Sequence, residues 1–176
     1  KEAREKMHNA SCLAGMAFTN AFLGLNHSMA HILGGKFHIP HGRANAILLP
    51  YVIKYNADKP SKFTAFPQYE YHRAPERYAE IARFLGLLAE TIEEGVTSLI
   101  NAIRGLMNEL EIPLSLKAAG VDPEAFRKEV RKMSDIAFND QCTGSNPRMP
   151  LVNEIEALYQ DVYDGKGLGA QEGKVS

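Results

Sequence analysis

Cysteine is scarce in this chain, charge is nearly balanced, and no apolar run is long. Two cysteines, Cys12 and Cys142, among 176 residues are too few for a disulfide framework, and with no secretory features they read as reduced thiols of a cytoplasmic protein. Lysine plus arginine number 20 against 21 aspartates plus glutamates, which leaves neither a basic stripe for nucleic acid nor an acidic tail. The longest apolar runs, such as AILLPYVI from Ala46 to Ile53, are too short to span a bilayer, and that one contains Pro50. Strand alternation and internal repeats are absent, so the expected fold is all-α. No glycine-rich turn opens a helix, which excludes a dinucleotide-binding fingerprint within the chain. The opening KEAREKMHNAS lacks an initiator Met and a targeting signal and reads as mid-chain helix.

What is present suits one soluble core: 45% of residues are hydrophobic and 23% charged, the ordinary balance of a globular domain. A first helix is expected from Glu2 to about Phe22, with small residues on a face that would let neighbours approach closely. Asn26 is the expected N-cap of a second helix, ended by Gly34-Gly35. A third starts at His41 and runs to Tyr55, tolerating Pro50 or kinking at it. Asn56 to Ala74 is turn-rich, with Pro60, Pro67, Tyr69 and Tyr71, and reads as a long connection. A helix follows from Pro75 to Leu85. Another opens on the capping box Thr91-x-x-Glu94 and carries the stripe Val96, Leu99, Ile100, Ile103, Met107 and Leu110. Asp122-Pro123 caps the next, and Leu151 to Tyr163 is the last. Residues 165–176, rich in glycine, are expected to form a flexible tail.

The chemistry concentrates between Asn26 and Asn45, NHSMAHILGGKFHIPHGRAN, which holds four of the six histidines. His27 and His31, four apart, leave the same helix face about one turn apart. His41 follows Ile39-Pro40, which keeps the chain extended where a helix can begin, and there the helix dipole disfavours imidazolium and suits a ligating imidazole. A lone histidine on an apolar helix is more often a hydrogen-bonded core residue, which is the reading for His38. Together the cluster suggests a metal or proton-transfer site where two helix ends meet. The His27/His31 pair does not make a zinc peptidase, because Ser28 stands where that motif needs glutamate. In the polar loop NDQCTGSNPRMP, Cys142 and Arg148 are the distinctive residues, Arg148 being read as a loop anchor.

The strings GMAFTNAFLGLNHSMAH and FHIPHGRANAILLPYVIKYN, with the spacing H-x3-H-x9-H-G, closely resemble the metal-binding region of the iron-containing (group III) alcohol dehydrogenases. KFTAFPQYEY, RYAEIARFLG, IPLSLKAAGV and AFNDQCTGSNPRMPL further resemble the alcohol dehydrogenase half of the bifunctional aldehyde-alcohol dehydrogenases. The likeness extends to about Tyr163. It implies that His27 and His41 are iron ligands, that His31 lies beside the nicotinamide and substrate, and that Phe18, Leu23 and Cys142 line the substrate pocket. The family's other two ligands, an Asp and a His four residues later, have no counterpart upstream of His27. By this resemblance residues 1–164 form the helical C-terminal lobe of a dehydroquinate synthase-like fold, with the α/β nucleotide-binding lobe absent from the chain.

The same resemblance implies a reaction: interconversion of acetaldehyde and ethanol, or other short primary alcohols, by hydride transfer with NAD(H). Histidine and aspartate ligands suit Fe(II) and also zinc; the resemblance favours iron. The expected partners are the missing nucleotide-binding lobe, a small alcohol or aldehyde, and further copies in a homo-oligomer or filament. Isolated, such a lobe should be inactive. Two other readings are a zinc-dependent glycerol dehydrogenase-like relative, against which QCTGSNPR argues, and a non-catalytic helical module that supports assembly.

Overall fold

Thr91 and Asp122 do what their positions in the sequence suggest. In the computed structural model, which describes residues 1–60 and 72–168, Thr91 Oγ1 accepts from the Glu94 N–H at 3.1 Å. Asp122 Oδ1 accepts from the N–H groups of Glu124 and Ala125. Each bond satisfies an amide that a helix start would otherwise leave unpaired. The described residues form seven α-helices: α1 (Glu2–Ala21), α2 (Leu25–Phe37), α3 (His41–Ala57), α4 (Ala74–Phe84), α5 (Ile92–Glu109), α6 (Pro123–Asn139) and α7 (Val152–Asp164), with a short 3-10 turn at Thr143–Ser145. No strand occurs among the described residues, and no helix of theirs is long and apolar enough to cross a membrane.

Two apolar clusters hold the helices together. The larger joins α2, α3, α6 and α7 through Leu25, Met29, Leu33, Ile47, Leu48, Phe126, Met133, Ile155 and Tyr159, all fully buried. Side chains of this size each stabilise the fold by about 1.5–3 kcal/mol when fully buried. The Tyr159 hydroxyl, sealed inside this core, donates to the Met29 carbonyl at 2.9 Å and so ties α7 to α2. The second cluster sets α4 and α5 against Ile53 of α3, with Ala82, Val96, Leu99 and Ile100. Here Gly95 is required by close approach, because a Cβ at that position would lie 2.8 Å from Ala79 Cα. The expected α5 stripe is buried at Val96, Leu99, Ile100 and Met107, while Leu110 just past the helix end is exposed.

Three local expectations need correction. Asn26 does not cap α2. The helix begins one residue earlier, and its first amide, on Leu25, donates to the Oδ1 of Asn146, 121 residues further along the chain. Gly24 precedes it because a Cβ there would meet that same oxygen at 2.9 Å. Gly34-Gly35 does not end α2, since Ile32 and Leu33 are buried and half-buried Phe37 packs on the core. The chain turns instead at His38, in the left-handed region at φ 55°. The small-residue face of α1 approaches nothing closely: α1 contributes no buried residue, and a Cβ added at Gly15 would meet open space. Pro50 lies buried inside α3. The expected connection around Pro67, Tyr69 and Tyr71 and the tail from 169 to 176 lie outside the described residues; the chain before that point keeps Leu168 packed against both clusters.

Candidate metal centre

The turn through His38, Ile39 and Pro40 folds α3 back along α2, and this brings His41, the first residue of α3, over the face of α2 that carries His27 and His31. Pro40 holds the extended backbone (φ −53°, ψ 136°) from which α3 starts. The three rings form a triangle: His27 to His41 is 5.4 Å between centroids, His31 to His41 is 5.5 Å, and His27 to His31 is 6.3 Å. His27 is half-buried, whereas His31 and His41 are exposed at the rim. His38 takes no part in the triangle.

The surroundings give the three rings different capacities. Burial first, and then the neighbouring His41 and His31 rings, push the His27 pKa below its ordinary value, with Asp140 opposing. A neutral ring with a free lone pair is what a metal needs. His41 Nε2 lies 3.1 Å from the Asn45 side-chain nitrogen, and the Asn45 Oδ1 accepts from Asn26 Nδ2 at 2.7 Å. The Asn45 nitrogen can only donate, so His41 Nε2 accepts from it and is the unprotonated ring nitrogen, and a metal bound there would take the place of that hydrogen bond. His31 is held otherwise: its Nδ1 lies 3.0 Å from Asp140 Oδ2.

A metal bound by two imidazoles at about 2.1 Å, with a tetrahedral angle between them, sets their ring centres about 5 Å apart. The His27–His41 separation of 5.4 Å and their tilted planes fit that requirement. The stacked His31–His41 pair, with planes only 15° apart, suits it less. Donor atoms of His31, Asp140 and Cys142 also come within 4.8 Å of one another, yet there the carboxylate already accepts from the Cys142 N–H at 2.8 Å and from Ser28 and the His31 ring.

Asp140 is the residue that sequence reasoning missed. It is the C-cap of α6, where the helix macrodipole disfavours a carboxylate. An aspartate in that unfavourable place was the available signal. Burial raises its pKa, but donation from the Cys142 amide, the His31 ring and the Cys142 thiol outweighs burial and holds it below the ordinary carboxylate value.

Cys142 is buried, 1% exposed, at the base of this cluster. Burial and then the Asp140 carboxylate push its thiol pKa up to about 11, whereas Cys12 is exposed. Since the thiolate is the nucleophile, alkylation should modify Cys12 first, with Cys142 slower by at least about a hundredfold in the folded chain and equal after unfolding. Mass spectrometry of peptides along a time course checks this, and equal rates in the folded state would contradict it.

The other expected pocket residues are less central. Leu23 lines a groove with Asn26, Val52, Tyr78 and Asn146, and its carbonyl accepts from the Ser145 hydroxyl. Phe18 projects from α1 and is 45% exposed. Arg148 is a loop anchor, as read: its guanidinium donates to the Tyr55 carbonyl, pairs with Glu154 at 3.0 Å, and lies 4.0 Å over the Tyr55 ring.

A family model described as the Fe-containing alcohol dehydrogenase family, C-terminal, matches residues 1–163. The chain belongs to the iron-containing alcohol dehydrogenase family. It is 50% identical over 163 residues to the aldehyde-alcohol dehydrogenase of Streptococcus pneumoniae, covering 93% of this chain and 18% of that protein. It is 48% identical over 165 residues to the NADPH-dependent butanol dehydrogenase of Clostridium saccharobutylicum, covering 94% of this chain and 39% of the relative. The solved structure of the iron-containing alcohol dehydrogenase of Thermococcus thioreducens superposes with a TM-score of 0.77 at 37% identity, over 94% of this chain and 38% of that one. The chain therefore spans less than a fifth of the aldehyde-alcohol dehydrogenase, and its all-helical fold is the C-terminal helical domain of the iron-containing alcohol dehydrogenase fold.

Proposed function

We propose that this chain is the metal-binding lobe of an enzyme that interconverts short primary alcohols and their aldehydes, ethanol and acetaldehyde first among them, by hydride transfer with NAD(H). The observation that carries this reading is the 5.4 Å approach of the His27 and His41 rings, drawn from the starts of two helices to one open rim. The identity with aldehyde-alcohol dehydrogenases supports the substrate class. The name of the butanol dehydrogenase relative makes NADPH the alternative nicotinamide to compare.

In this reading His27 and His41 hold the metal, and the remaining ligands come from a nucleotide-binding lobe that also carries the cofactor pyrophosphate. When bound, iron supplies Lewis acidity at the substrate oxygen and the nicotinamide accepts the hydride. The chain's own residues do the rest. His27, kept neutral by burial and by its neighbours, presents a lone pair. Asn45, fixed by Asn26, donates to His41 Nε2 and so keeps that nitrogen unprotonated. His31, on the same rim, takes up the hydroxyl proton, and buried Cys142 helps close the floor of the site to water. Iron content and ethanol-dependent NAD reduction, measured on the 176-residue chain alone and together with the nucleotide-binding lobe, test the reading. Turnover should require both lobes; equal turnover by the chain alone would refute the shared site.

A further inference from the structure

His31 is the one imidazole of the three whose Nδ1 faces a carboxylate, and that carboxylate is itself fixed. Asp140 Oδ1 accepts from the Cys142 backbone N–H at 2.8 Å and lies 3.3 Å from the Ser28 hydroxyl. Oδ2 is thereby aimed at His31 Nδ1, 3.0 Å away. An ionised carboxylate only accepts hydrogen bonds, so the ring nitrogen opposite must carry the proton, and a neutral imidazole has only one. The other nitrogen is then a bare acceptor. Ser28 and Thr143, both fully buried and 2.8 Å apart through their hydroxyls, brace the loop from behind, and Thr143 donates to the Ala137 carbonyl at the end of α6. Two separated segments of the chain, α2 and the stretch from the end of α6 through the 3-10 turn, thus converge on one orientation of one ring.

We propose that Asp140 is a positioning residue that locks His31 in the Nδ1-protonated tautomer, leaving Nε2 unprotonated to receive the proton of the alcohol. The assignment of proton transfer rests on the dehydrogenase reading above; the tautomer does not. Asp140→Asn supplies a sharp test. The backbone N–H of Cys142 can only donate, so it retains the amide oxygen at the Oδ1 position and leaves the amide NH2 against His31 Nδ1. That NH2 can only donate as well. The ring must then shift its proton to Nε2, the wrong-tautomer effect known for an aspartate-to-asparagine change behind a catalytic histidine.

Nitrogen-15 NMR of the His31 ring, recorded on the alkaline side of the histidine range, reads the tautomer directly in the 176-residue chain. The native chain should show the proton on Nδ1, and Asp140→Asn should move it to Nε2 with the melting temperature little changed. A native ring protonated on Nε2 overturns the proposal, and this arm stands even if the variant fails to fold. A folded variant with an unmoved proton overturns it too. In the complete enzyme, Asp140→Asn should lower kcat at least about a hundredfold with KM for NAD nearly unchanged. Tautomer inversion with kcat intact would remove the positioning role. If the complete native enzyme oxidises no alcohol, the dehydrogenase reading fails while the NMR result still decides the His31–Asp140 pair.

Discussion

His41→Ala in the complete enzyme should abolish iron retention and take alcohol turnover down by at least about a thousandfold, while the melting temperature of the apo-protein stays within a few degrees of native. Loss of a mere outer-shell partner commonly costs ten- to a hundredfold in metal affinity, and removal of a ligand costs more, because the remaining rim imidazole, His31, is held by Asp140. His38, the nearest other histidine in sequence, lies outside the ring triangle and cannot replace it. The stability side of the prediction follows from position. His41 is exposed at the first turn of α3, and among the described residues its side chain bonds to Asn45 alone, so truncation opens no cavity. His27→Ala should match it in metal loss. Asn45→Ala should keep iron within about tenfold of native, since it removes a donor to the His41 Nε2 lone pair and leaves the ligand itself in place. Iron per protein after gel filtration, with thermal unfolding of the apo form, separates these cases.

Asn146→Ala should be strongly destabilising, by about 3–5 kcal/mol. Asn146 is 1% exposed. Its Oδ1 accepts from the Leu25 N–H and from Asn56 Nδ2; its Nδ2 donates to Asn56 Oδ1 at 2.7 Å and to the Arg148 carbonyl at 2.6 Å. Alanine leaves the first amide of α2, the Asn56 side chain and a carbonyl without these protein partners, and each orphaned group costs about 1–3 kcal/mol. For a domain of this size, 1 kcal/mol shifts the melting temperature by about 2–4 °C, so a fall on the order of 10 °C is expected. Asn153→Ala on the exposed side of α7 serves as control and should change stability by less than about 0.5 kcal/mol. The consequence reaches function, because α2 carries His27 and His31 from a start that Asn146 holds.

The contrast between Asn26 and Asn146 shows where the sequence was legible. Each α-helix of the described residues was anticipated, some from apolar stripes and others from prolines, glycines and caps, and the caps at Thr91 and Asp122 were visible because a local cap lies within three residues of the amides it serves. The cap of α2 comes from a loop 121 residues away, and no local pattern can reveal that. Gly34-Gly35 misled for a related reason: the intrinsic cost of two glycines, about 1 kcal/mol each, is smaller than the burial gained by carrying the helix on to Phe37.

The site divided in the same way. His27, His31 and His41 could be picked out because they crowd one stretch and because the i, i+4 rule puts two of them on one face. That the third swings over that face depended on the His38–Pro40 turn, which the Ile39-Pro40 pair foreshadowed. Asp140 was out of reach of that argument, since its partner is 109 residues away and only the folded chain shows the carboxylate pressed against His31. Phe18 and Leu23 drew their pocket roles from resemblance alone; α1 and the groove beside Leu23 supply an exposed setting for them but no contact with the three rings.

The most direct test is an anomalous-scattering crystal structure at the iron edge of the complete enzyme carrying this lobe. The account predicts one iron peak at about 2.1 Å from a ring nitrogen of His27 and from one of His41, with His31 unbound and still paired to Asp140. A peak bonded to His31, Asp140 and Cys142 instead, or to only one of the two ligand histidines, would contradict it.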